Sequence, residues 1–310
     1  MRKEFTFVDP YENELQGYLW ETDAKKPRGV VLIVHGAGEY CARYDHFATF
    51  LNDKGFHVIG NDHLGHGKTS KDLSHVYFDS SIGFHKVYEG VKTLRDYIGE
   101  QFPKLPVIMF AHSMGSFIGR YALLYDQNRY DMAIFSGTGL FSTGKLRMGR
   151  ILASIIAKMK GDHYVSEWFN DRFMGAHIRD LQEKGIINKR VEWISQDPQI
   201  LREFNEDKYC GIPFSIGAQR DLIQFIPEIQ DKQRIEKTAS ATAIYFLSGD
   251  QDPLGDYGGD IKKLYEIYRE CGYSNVKYTV FTNTRHEIIN DIERQRHYEM
   301  ILTWIERNLI

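Results

Sequence analysis

The sequence predicts an α/β fold: a mostly parallel central sheet with helices on both faces and one helical cap insertion. Three observations carry this expectation. Short apolar runs at 30–34, 56–60, 106–111 and 132–135 alternate with stretches of helical period. The runs lack polar alternation, as strands covered on both faces do. The rhythm then stops after Gly139 and resumes near residue 236.

Taken in order, residues 4–9 and 16–21 alternate as short outer strands, with a turn at Asp9-Pro10. Residues 30–34 form a buried strand ending at Gly36. A helix follows over 44–54, with Phe47, Ala48, Phe50 and Leu51 on one side and Gly55 as its stop. Then come a strand (56–60), a helix (87–102), a strand (106–111), a helix (115–124) and a strand (132–135). After the insertion the pattern is strand 243–247, helix 259–270, strand 276–281 and helix 293–309. Strands separated by helices need crossovers, which makes the sheet parallel and aligns the strand C-termini along one ligand-binding edge. The domain reading is a core of 1–139 plus 236–310, with a helical cap at 140–235.

The chain has 310 residues, 42% of them apolar and 26% charged, which fits a globular protein and excludes a disordered or collagen-like one. A net charge of -3 supplies no general field for nucleic acid, so no nucleic-acid partner is expected. Cys41, Cys210 and Cys271 lack a pair spacing, so no disulfide framework is expected. The N-terminal stretch has a basic start without a following apolar run, and no apolar stretch approaches the ~20 residues of a membrane span. The expected location is the cytoplasm.

The chemistry gathers at strand ends. Ala111-His112-Ser113-Met114-Gly115 stands between a buried strand and a helix, the setting in which a small-x-Ser-x-Gly turn exposes a nucleophilic hydroxyl. Outside that setting, the same serine would be only a helix N-cap. A nucleophilic serine needs a base and an acid. His286 lies after the last predicted strand, and Asp252 after the one before it. Asp252 is preferred to Asp250 because Pro253 holds it extended, whereas Asp250 is expected to bond its own turn. His297 falls within the final helix, where a surface or packing role is expected. Ala37, between Gly36 and Gly38, and Met114 would supply two backbone N–H donors for the oxyanion. His35 is read as structural. His63-x-x-His66 beside Asp62 lacks further ligands at metal spacing, and no glycine cluster matches a phosphate-binding fingerprint. Neither metal nor cofactor is expected.

Five strings, His35-Gly-Ala-Gly-Glu, Asp62-His-Leu-Gly-His-Gly, Ala111-His-Ser-Met-Gly, Gly249-Asp-Gln-Asp and Arg285-His-Glu, together resemble the α/β-hydrolases of the monoacylglycerol lipase and lysophospholipase branch, the serine aminopeptidase S33-like group. The likeness runs through the whole core, whereas the insertion matches only in position. It implies an α/β-hydrolase fold, Ser113 as nucleophile, Asp252 and His286 as triad partners, and the Ala37 and Met114 amides as the oxyanion hole. Ala111 and Ser116 depart from the family's usual glycines.

In the cap, Met148, Ile151, Leu152, Ile155, Ile156 and Met159 recur on one face of a helix that also carries Lys145, Arg147, Arg150, Lys158 and Lys160 and no acidic residue. Such a basic amphipathic helix suits anionic lipid or an acyl tunnel, and it suits packing within the cap equally well. Met148, Ile151, Leu152 and Ile155 are the expected substrate contacts. Trp168, Phe169, Phe173, Trp193, Phe204 and Phe214 are further candidates for a pocket wall. The function expected is hydrolysis of carboxylic esters through an acyl-serine, on a monoacylglycerol or lysophospholipid. An amide or C–C bond hydrolase with the same triad is the alternative enzyme, and a non-catalytic small-molecule binder is the alternative class.

Overall fold

The buried apolar runs become the middle of one sheet. The computed structural model describes residues 2–79, 82–173 and 175–309. Among these residues the strands are β1 (Arg2–Val8), β2 (Glu14–Trp20), β3 (Gly29–Val34), β4 (Phe56–Asn61), β5 (Val107–His112), β6 (Met132–Ser136), β7 (Ala243–Gly249) and β8 (Val276–Phe281). They form a single sheet in the order β1-β2-β4-β3-β5-β6-β7-β8. β3 to β8 run parallel, while β1 and β2 pair antiparallel at one edge. The predicted strands all appear, with ends within two residues of expectation.

Alternate residues of β3 explain the two layers. Val30, Leu32 and Val34 face one apolar cluster, whereas Val31 and Ile33 face the other. The first cluster is covered by α2 (Gly83–Gln101), α3 (Met114–Tyr125) and α10 (Gly259–Glu270). The second lies under α1 (Asp45–Asp53) and α11 (Arg294–Asn308). α2 begins four residues before its predicted start, because Phe84 is buried in a ring stack with Phe225 at 3.1 Å between centroids.

Between β6 and β7 the chain forms α4 (Thr143–Lys160), α5 (Glu167–Phe173), α6 (Ala176–Glu183), α7 (Pro198–Glu206), α8 (Ile216–Ile229) and α9 (Lys232–Lys237). The helical character is as expected, but the partition differs. α8 buries Ile223, Phe225, Ile226 and Ile229 in the same cluster as the sheet and packs on α4 as well as on α2 and α3. It therefore bridges α4 and the core's helical layer, and α9 runs past residue 235. A core helix and a cap helix share one hydrophobic period, so the sequence carries no mark at this border. Residues 176–195 have a small apolar cluster of their own, built on Ile178, Leu181 and Ile187 with Trp193 and Tyr257 against it.

Candidate active site

The turn from β5 into α3 is tight enough to force a side chain outward. Ser113 has φ 52° and ψ −122°, a left-handed conformation that non-glycine residues avoid. Its N–H donates to the Ser136 carbonyl at 2.9 Å. The Ser116 hydroxyl donates back to the Ser113 carbonyl at 2.6 Å, so this departure from glycine braces the turn. Gly115 is required by close approach, since a Cβ there would strike the Val34 carbonyl oxygen. The other departure, Ala111, is accommodated by Gly119, where a Cβ would stand 3.1 Å from the Ala111 methyl.

His286 and Asp252 meet beside this turn. His286 Nδ1 and Asp252 Oδ2 are 2.9 Å apart, and both residues are buried. Burial pushes the imidazolium pKa down, but the Asp252 charge and hydrogen bond outweigh it, and the His286 pKa stands above its ordinary value. Its Nε2 has no hydrogen-bond partner among the described residues. Asp252 also accepts from the Leu254 N–H at 3.0 Å, which fixes the second carboxylate oxygen. Asp250 does not bond its own turn as expected. It accepts from the Thr284 N–H at 3.3 Å and so ties the acid loop to the base loop.

The loop after β3 closes the third side. A Cβ on Gly36 would lie 3.0 Å from the Ser113 Cβ, so the backbone before Ala37 runs directly against the serine. Met114 opens α3, where first-turn N–H groups lack intrahelical acceptors. The loop is held from behind by Glu39, which accepts from the Gly36 N–H at 2.6 Å and the Tyr44 hydroxyl at 2.8 Å. Arg43 then joins Glu39 (2.6 Å) to Glu287 (2.8 Å), linking the loop after β3 to the residue after His286. Burial raises the Glu287 carboxyl, but the Arg43 guanidinium prevails and keeps it below its usual range.

His35 has a structural place, as expected: its Nε2 accepts from the His63 N–H at 2.9 Å, and its ring stacks on His63. Asp62 accepts from Tyr18, Cys41 and Lys68. Among the described residues no group of three or more His, Cys, Asp or Glu is arranged to hold a metal. His297 is a packing residue, buried with Nδ1 2.7 Å from the Ile288 carbonyl oxygen.

Ser113, His286, Gly36 and Ala37 all line one cleft of about 410 Å³, walled by Val191, Trp193, Ile194, Phe204, Ile212 and Phe214. The region matched by the family model of the serine aminopeptidases, S33, spans residues 25–293 and so includes every one of these groups. The chain belongs to the serine aminopeptidase S33 family. Over 298 residues it is 24% identical to a monoacylglycerol lipase of Mycolicibacterium smegmatis, covering 94% of this chain and 92% of that one. A mouse monoglyceride lipase is 33% identical over 116 residues, 37% of this chain and 35% of that one. Among solved structures, a thermostable carboxyl esterase from Bacillus coagulans superposes with a TM-score of 0.90 at 28% identity, covering 100% of this chain and 99% of that one. A lipase in its open form gives 0.85 at 26% identity, with the same coverage. This S33 member is thus an α/β-hydrolase of the monoacylglycerol lipase-like branch.

In this S33 protein the expected cap contacts need correction. Met148, Ile151 and Ile155 are 67%, 52% and 51% exposed, and they are not among the residues lining the Ser113 cleft. Leu152 is half-buried and packs on the core cluster instead. α4 turns inward the stripe Leu146, Gly149, Ala153 and Ala157, because small residues let it approach its neighbours closely. A Cβ on Gly149 would collide with the Phe173 ring. Met148, Ile151, Ile155 and Met159 therefore face out. Of the aromatic candidates, Trp193, Phe204 and Phe214 line the cleft, Phe169 is buried, and Trp168 is 60% exposed. Sequence reasoning missed Glu39, Arg43 and Glu287. The i,i+4 spacing of Glu39 and Arg43 was a readable signal, but their partner lies 244 residues from Arg43.

Proposed function

We propose that this protein hydrolyses carboxylic esters through an acyl-Ser113 intermediate, with single-chain acyl esters such as monoacylglycerols or lysophospholipids as substrates. One observation carries the reading. The Asp252–His286 pair at 2.9 Å leaves the Nε2 of His286 without a partner, in a cleft that Ser113 also lines. His286 takes the Ser113 proton as the hydroxyl attacks the ester carbonyl, and Asp252 steadies the imidazolium formed. The Ala37 and Met114 N–H groups receive the oxyanion, each worth about 3 kcal/mol of barrier. His286 then protonates the departing alcohol, and water repeats the route to release the acid.

The cleft's chemistry supports an uncharged acyl chain. Its walls are mainly apolar, and an adjoining recess of about 380 Å³, which Val165, Glu167 and Asp171 also line, shares Asn170, Ile178, Arg190 and Pro213 with it. The carboxylates among the cleft-lining residues, Glu39 and Glu287, are both engaged by Arg43. The names of the relatives, monoacylglycerol lipase and carboxyl esterase, agree with an ester.

The outer stripe of α4 supports peripheral contact with lipid. Met148, Ile151, Ile155 and Met159 are exposed between Lys145, Arg147, Arg150, Lys158 and Lys160, an arrangement suited to an anionic surface. No helix among the described residues is long and apolar enough to cross a membrane.

The test is a series of acyl esters of rising chain length beside aminoacyl amides. The expected outcome is kcat/KM rising with chain length and negligible cleavage of the amides. Preferred cleavage of amides, or no gain from short to long chains, would contradict the substrate reading.

A further inference from the structure

The Trp193 indole lies on the His286 imidazole with ring centroids 4.3 Å apart and planes 22° from parallel. His286 is otherwise enclosed by the core. Asp252 holds Nδ1, His112 stands on another side at 4.7 Å between centroids, and a Cβ on Gly137 would come within 2.8 Å of Cε1. Trp193 is the part of this enclosure contributed by the chain between β6 and β7.

Its placement is fastened by several bonds. Arg285, the residue before the base, donates from Nη1 to the carbonyls of Glu192 (2.6 Å) and Ser195 (2.9 Å), and from Nη2 to that of Ile186 (3.3 Å). The Glu287 N–H donates to the Ile194 carbonyl at 2.8 Å. Asp291 accepts from the Gln196 N–H (2.8 Å) with one oxygen and from the Arg285 N–H (2.7 Å) with the other. Residues 186–196 are thus stitched to the loop carrying His286.

We propose that Trp193 is a positioning residue for the base: its indole covers one face of the His286 imidazole, and Arg285 holds it there. The proposal rests on the reading of His286 as the base for Ser113. Two physical effects follow from the stack. The indole face attracts the imidazolium formed in the transition state, and it keeps water off that face. The charged and titratable groups around the ring are Asp252, His112, Glu287, Glu39, Arg43 and Arg285, and Trp193 is the uncharged member that favours the protonated ring through its quadrupole.

The test uses the whole chain with a short soluble ester, so that acyl-chain contacts contribute little. Trp193→Leu keeps apolar cover without the aromatic face. It should lower kcat about tenfold, leave KM within about threefold, and move the acid limb of the kcat profile down by about half a pH unit. Trp193→Phe should restore kcat to within about threefold of the parent and return the limb. An unmoved limb with kcat within twofold in Trp193→Leu would overturn the proposal, as would a loss confined to KM, which would make Trp193 only a wall of the cleft. Ser113→Ala separates the two readings. If it is inactive while Trp193→Leu is unchanged, only the positioning role falls; if it keeps full activity, the role of His286 falls and this proposal with it.

Discussion

Holding Ser113 at φ 52° and ψ −122° costs about 1–3 kcal/mol, and the surrounding bonds must over-determine it. The Ser136 carbonyl, the Ser116 hydroxyl and the space left by Gly115 do so, which is why a strained serine persists at a strand end. His286 has the complementary problem of carrying a charge while buried. Its raised pKa means that it keeps its proton to a higher pH than an ordinary histidine. In its proposed role as base it must be neutral to work, so kcat/KM should rise with pH and reach its plateau above the usual histidine value of about 6.5. Asp252→Asn removes the group that raises the pKa. It should cut kcat by about 10³–10⁴-fold and move the acid limb to lower pH, read from a pH–rate profile. A limb that stayed in place would contradict the pairing. The placement of Ser113, Asp252 and His286 at one sheet edge was legible because each comes shortly after a recognisable strand. The tie from Arg43 to Glu287 was not, since an ion pair between segments 244 residues apart leaves no local pattern.

Helix α4 shows what periodicity does and does not determine. Two stripes run along it, 146-149-153-157 and 148-151-155-159, both at helical spacing. The sequence favours burying the stripe with more apolar surface, but packing favours the one that permits closer approach. Leu146, Gly149, Ala153 and Ala157 go inward, and Met148, Ile151, Ile155 and Met159 are left outside between basic side chains. If that face meets lipid, Ile151→Asp with Ile155→Asp should reduce co-sedimentation with anionic vesicles by about tenfold or more while leaving hydrolysis of a short soluble ester unchanged. Equal sedimentation of parent and variant would contradict lipid docking. The end of the insertion was hidden for a related reason. α8 packs on α4 and on the core helices α2 and α3 at once, and its apolar face looks, in sequence, like that of its neighbours.

At the scale of the molecule, the sheet supplies one edge on which four loops converge, those after β3, β5, β7 and β8. Buried polar bonds then lock them to one another. Arg43 joins the first to the last, Asp250 joins the third to the last, and Arg285 joins the last to residues 186–195. Arg120, fully buried, makes a comparable tie at the root of the insertion. It donates to the Gly139 carbonyl at 3.1 Å where the chain leaves the core and to that of Ile229 at 3.0 Å, at the end of α8. The sheet and the order of its strand-end loops were readable because buried parallel strands announce themselves as apolar runs. The ties between loops were not, since tertiary contact alone creates them. The central claim is that Ser113 becomes acylated, and trapping tests it most directly. The protein is treated with a fluorophosphonate and, separately, with an excess of activated acyl ester quenched in acid, and the modified peptide is mapped by mass spectrometry. The account predicts one equivalent of phosphonyl or acyl group on Ser113 and none on Ser113→Ala. Modification at another residue, or turnover of ester with Ser113 never labelled, would contradict it.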